Sequence, residues 1–230
     1  MIHKTLFRGL LALAAAGLVA GCTKDSSMTA PSPAANVSLG AEVVHQLAKV
    51  SHPGLVIDTT KVLVRRIKFH QAGSEDPADV KSDSFVLRLV PGVPVSEVAV
   101  ARIAPGSYDR LTFDIHKPED LEIPPDPEFR DGSSGNQRYS MIIKGSYNDT
   151  AFVYRSRSEF TIEFELQPPL AVSDDGVARI TFTVDPFACF GHHGLVFDPR
   201  TPSNEAAIEP AIRGAFLKAF RDDDRNGEPD

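Results

Sequence analysis

The last ten residues, RDDDRNGEPD (Arg221–Asp230), place oxygen-bearing side chains at alternate positions and then a glycine. Calcium takes about six to eight hard oxygens, and short loops supply them at every second residue, with a glycine sixth for the sharp turn. Counting from Asp222 puts Asp222, Asp224 and Asn226 at places one, three and five. Gly227 then falls at six, the backbone carbonyl of Glu228 at seven and Asp230 at nine. Counting from Asp223 fails, because Arg225 would occupy a ligand place. A bidentate glutamate at place twelve would be residue 233, past the last residue given. The spacing predicts a calcium loop with Asp222, Asp224, Asn226, Glu228 and Asp230 as its donors. The competing expectation is a solvated acidic tail.

A second group with ligand chemistry is CFGHHG, in which Cys189, His192 and His193 offer a thiolate and two imidazoles to copper or zinc. Adjacent histidines need a third anchor to converge on one ion, and no CxxC or HxxxH accompanies them. The plainer expectation is a buried Cys189 beside Phe187 and Phe190, with the histidines in a glycine-rich turn. His70 and His116 are expected on outward strand faces as surface residues. Catalytic signatures are missing. DGSSGN lacks the glycine-serine-glycine spacing of a nucleophile elbow, and there is no phosphate-cradling loop or zincin motif. The expectation is a protein that is not an enzyme.

The N-terminus carries an address. Lys4 and Arg8 precede LLALAAAGLVA, an apolar run too short to span a bilayer and ending in small residues. Val19-Ala20-Gly21-Cys22 resembles a bacterial lipobox, which implies a signal peptide over 1–21 and acylation, palmitate included, at Cys22. Several acyl chains on one residue anchor durably. By the same resemblance, Thr23 in place of Asp points to the outer membrane. Residues 22–36 read as a lipidated tether; the 14 residues after the cysteine reach roughly 45–50 Å when extended. With Cys22 acylated, Cys189 has no internal partner. Removal of the signal takes the net charge from −7 to about −9, so no basic surface exists for nucleic acid.

Between the ends, period two dominates. Phe85, Leu87 and Leu89 alternate with Val86 and Arg88, and Leu111, Phe113 and Ile115 alternate with Thr112, Asp114 and His116. Phe160, Ile162, Phe164 and Leu166 alternate with Thr161, Glu163 and Glu165, and Ile180, Phe182 and Val184 repeat the pattern. One-sided strands of this kind predict an antiparallel β-sandwich of about eight strands over 37–220. Asn148-Asp149 and Asp175-Gly176 read as hairpin turns, and Pro105-Gly106 as a turn between strands. Segment 121–137 is a long polar loop. Residues 39–50 suit either a short helix or a strand. Residues 204–220, with Ile208, Ile212, Phe216 and Phe220 every four residues, predict a C-terminal helix capped by Asn204 and restarted at Pro210. An acidic tail over 221–230 would then sit unfavourably at the negative end of that helix, and a bound cation would offset this.

Residues IAPGSYDRLTFDI (103–115), IIKGSYNDTAFVYRS (142–156), TFTVDPFACF (181–190) and the closing helix with its aspartate tail resemble bacterial lipoprotein domains of the DUF4382-like, carbohydrate-binding-type β-sandwiches. A thinner likeness is to periplasmic copper-chelator-binding proteins. The tail itself is similar to the abbreviated loops of dockerin-like and thrombospondin type 3 repeats. These resemblances imply a lipid-anchored envelope protein that binds a glycan or another envelope component, with calcium as cofactor. The alternatives are a structural or assembly lipoprotein contacting protein partners, and a copper-handling protein.

Overall fold

The computed structural model describes residues 35–44, 54–74, 77–80, 84–192 and 195–230. Cys22, the signal segment and most of the tether lie outside them. The strands are β1 (Val37–Val43), β2 (Leu55–Gln71), β3 (Pro77–Val80), β4 (Phe85–Leu89), β5 (Ser96–Ala101), β6 (Gly106–Ile115) and β7 (Met141–Tyr147). They continue with β8 (Thr150–Ser156), β9 (Phe160–Val172), β10 (Ala178–Val184), β11 (Gly191–His192), β12 (Leu195–Val196) and β13 (Phe216–Arg221). One helix, α1 (Glu205–Ile212), and short 3-10 turns complete the described residues.

The architecture is mainly β, a sandwich of two sheets. One sheet runs β13-β10-β1-β5; the other runs β8-β7-β2-β6-β9, with β3 and β4 also paired to β2. The 17-residue β2 is long enough to hold four partners along its edges, which raises the strand number above the eight expected. Pairing is antiparallel in both sheets except between β1 and β10. The alternating residues face inward as expected: Leu111, Phe113, Ile115, Ile162, Phe164 and Leu166 are all buried. Phe113 of β6 stacks edge-on against Phe164 of β9 at 5.7 Å and crosses the gap to Phe182 of β10 at 5.0 Å. That contact locks one sheet to the other.

Several expectations change. Asn148 and Asp149 both take positive φ (48° and 59°) and close the β7–β8 hairpin, as read. The Asp175-Gly176 connection is no hairpin, because β9 and β10 belong to different sheets. The C-terminal helix ends at Ile212; a 3-10 turn at Arg213–Ala215 carries the chain through Gly214 into β13, which pairs with β10. A four-residue recurrence is also two strand periods, so Phe216 and Phe220 could not tell helix from strand. Helix α1 runs through Pro210 without a restart, and the Asn204 side chain donates to Asp198 O rather than capping it. Residues 39–43 of the ambiguous N-terminal segment belong to strand β1, while 45–50 lie outside the described residues. Asn36, assigned above to the tether, is buried and bridges Ile103 N and O and Ser173 O, so it belongs to the domain.

Candidate functional site

Strand β13 delivers the tail onto the outer face of β1 and β10, so the tail follows a strand and meets no helix dipole. It is not a free solvated end. Asp222 is fully buried, and its carboxylate accepts from Thr181 Oγ1 (2.6 Å), Asn226 N (3.0 Å) and Gly227 N (3.2 Å). Asp224 accepts from Asn226 N (3.2 Å) and Asn226 Nδ2 (3.0 Å), and Asn226 Oδ1 accepts from Glu228 N (2.7 Å). Positive φ at Arg225 (61°) and Gly227 (84°), the fourth and sixth places of the motif, folds the segment back on itself. Asp230 closes the turn: its N–H donates to Arg221 O at 3.1 Å and its carboxylate accepts from Asp223 N.

Arg225 points inward. Its guanidinium donates to Ile180 O (3.1 Å), Thr181 Oγ1 (3.3 Å) and Ser38 Oγ (2.5 Å), and burial lowers its pKa. Gly40 makes room for it, since a Cβ there would lie 2.1 Å from Arg225 Nη1. These contacts bury Thr181 and Ser38 on a face that alternation alone assigns to water; Thr183 on the same strand is buried as well. Glu42 of β1 lies beside Gly227, and burial together with the Asp222 and Glu228 carboxylates raises its pKa. The Arg221 guanidinium holds Asp223 below the usual carboxylate range. Asp222, Asp224 and Asn226 are thus joined by hydrogen bonds within the tail, while Glu228 enters through its N–H and Asp230 accepts from Asp223 N. Among the described residues, however, no three or more His, Cys, Asp or Glu side chains form a group able to hold a metal ion.

Of the second ligand set, the structure describes Cys189 and the backbone of His192. Cys189 ends a 3-10 turn capped by Asp185, and its thiol is buried beneath Phe190, which stacks on Phe152 and Tyr154. Burial pushes that thiol well above its ordinary pKa, the opposite of what a thiolate ligand requires. The backbone of His192 pairs with Leu195, and His193 lies outside the described residues.

A third site escaped the sequence reading. At the end of β6, His116 faces a cleft of about 500 Å³ bordered by residues 117–122, Arg138 and Glu159. Its Nδ1 lies 2.8 Å from Glu159 Oε1; its Nε2 is buried without a hydrogen-bond partner, 3.9 Å from Glu119 and 4.0 Å from Glu122. Two arginines hold the wall. Arg138 donates to Pro118 O, and Arg130 donates to Asp120 O and Glu122 O. The polar loop 121–137 is fastened further by Lys61, which contacts Asp126 and Glu128, and by Lys144 on Glu128. Below it, Phe129 packs with Leu63 and Ile142. The available signal was His116-x-x-Glu119-x-x-Glu122 directly behind a strand; Glu159 arrives from elsewhere in the chain and could not be placed.

Comparison with known proteins returns no match: no family model, curated protein or solved structure is detectably similar to the chain.

Proposed function

We propose that the chain is a membrane-anchored envelope lipoprotein whose sandwich acts as a non-catalytic binding module and whose C-terminal loop takes calcium. The observation that most supports the calcium part is the closure of the tail in the D-x-D-x-N-G register. Asp222 holds the N–H groups of the fifth and sixth places, and the fourth and sixth residues turn left-handed. Besides burial, the Asp222 and Glu228 carboxylates raise the pKa of Glu42, a repulsion that a cation bound at the tail would relieve.

Melting of the full chain in EDTA and then in excess calcium tests this. At ten times a millimolar Kd, calcium adds about 1.4 kcal/mol, or roughly 3–5 °C in a domain of this size. The rise should vanish in Asp224→Ala and should not be reproduced by zinc or copper. A flat response in millimolar calcium sinks the reading. A second reading, in which the tail is purely a clasp, is favoured by the inward Arg225. It predicts a large loss of melting temperature in Arg225→Ala and no calcium response in either protein.

A further inference from the structure

The His116 cleft has a chemistry of its own. A carboxylate only accepts, so the contact with Glu159 places the proton on Nδ1 and, in the neutral ring, turns the Nε2 lone pair to the cleft. Three acceptors then converge on one space with no donor among them: Nε2, Glu119 and Glu122. Spacing chooses between kinds of cation. Ligands bonded to a metal at about 2.0–2.1 Å stand about 3.3 Å apart. Acceptors 3.9 and 4.0 Å from Nε2 suit instead a hydrogen-bond donor about 2.8 Å from each, at an angle near 90°. The spacing therefore argues against zinc or copper at this acceptor.

Charge agrees. Lys117 pairs with Glu159 at 3.3 Å, Arg138 with Asp120 at 2.6 Å and Arg65 with Glu119 at 3.0 Å. Among the described residues this leaves Glu122 as the one carboxylate of the cleft without a lysine or arginine. Burial works against its charge, but hydrogen bonds from Glu119 N and Ser84 Oγ, together with the charges of His116 when protonated and of Arg65, keep Glu122 ionised below the usual range. One positive charge with several donors completes the site, and an ammonium has three.

We propose that the cleft binds a primary ammonium group on a small ligand, with His116 Nε2, Glu119 and Glu122 as its acceptors and Glu159 as the residue that orients the ring. Amino sugars and ethanolamine head groups share this chemistry. The proposal names a ligand class for the binding module and rests on that part of the reading, independently of the calcium loop.

The test is a titration of the full-length protein, in EDTA, followed by long-range ¹H–¹⁵N spectra of the imidazoles. His116 is identified by the signal lost in His116→Gln. Glucosamine and ethanolamine are the probes, and N-acetylglucosamine and N-acetylethanolamine are the controls. The free protein should show His116 protonated at Nδ1. An amine should move its Nε2 resonance, the acetylated forms should not, and Glu122→Gln should weaken binding at least tenfold. Glutamine can still accept from Ser84 or Glu119 N, and a melting curve checks that the variant folds. The response to glucosamine against ethanolamine separates the two sources. Equal binding of the acetylated forms, unchanged binding by Glu122→Gln, or no response at tens of millimolar amine overturns the proposal. So does zinc, added in a parallel sample without EDTA, moving the Nε2 resonance where amines do not. A calcium-induced rise in melting temperature that persists beside an amine failure would leave the loop intact and remove only this site.

Discussion

Two acid-rich irregular segments of this molecule, the tail at 221–230 and the excursion at 116–140, turn their arginines to different partners. In the tail, the acids accept from the segment's own backbone, and the one central arginine turns away from them into the sheet. In the excursion, Arg130 and Arg138 take the backbone carbonyls of Pro118, Asp120 and Glu122. Glu119 pairs with Arg65 from outside the segment, and Glu122, held by Glu119 N and Ser84 Oγ, lies beside an imidazole with an unfilled acceptor. The partner taken by the arginine separates a loop whose acids close on their own backbone from one whose carbonyls are fastened and whose acids border a cleft.

The largest effect should come from Asp222→Ala. It strands a buried threonine hydroxyl and two backbone N–H groups, and should cost about 3 kcal/mol in denaturant unfolding. A cost below about 1 kcal/mol would mean the tail does not fasten the sheet. Next comes Arg138→Ala, which frees the carbonyls of Pro118 and Ser134. It should cost about 2 kcal/mol and abolish amine binding, whereas Asp222→Ala should leave amine binding unaltered. Amine binding that survived Arg138→Ala would break the contrast drawn above.

The smallest effect is a pH dependence. Hydrogen bonds from Lys144 and Lys61 hold Glu128 down to about 2 from 4.5. A depressed folded-state pKa gives stability that is full above 4.5 and is lost as pH falls toward 2. Because the side chain is 38% exposed, solvent screening reduces this to on the order of 1 kcal/mol. Urea midpoints of the native protein and Glu128→Gln should therefore converge as pH drops through that window. A gap that stays constant would show that Lys61 and Lys144 do not tie the excursion down through charge.

The strand faces were legible because alternation reports burial directly, as in FTIEFEL, where Ile162, Phe164 and Leu166 are buried, Phe160 at the strand end is half-buried and each polar residue is exposed. Alternation says nothing about what covers the other face. Thr181 and Thr183 are as polar as any wet strand residue, yet both are buried. The same limit hid the end of the helix, since the spacing of Ile212, Phe216 and Phe220 fits both periods and only pairing with β10 selects the strand. At the tail, local spacing was enough to give the register of Asp222, Asp224 and Asn226. At the cleft it was not, because His116 and Glu159 stand 43 residues apart and meet only through the β6–β9 ladder.

The pairing of β1 bears on how the chain reaches its final state. The first strand lies between β5 and β10, and Ser38 meets Arg225 across 187 residues of sequence. As synthesis proceeds, the first strand emerges long before one of its two neighbours exists. Strand β13 and the clasp that seals the outer face follow later still. Such an order postpones cooperative folding until residues 216–230 have been made. A chain without residues 222–230 would lack the side chains that cover Ser38 and Thr181 on that face.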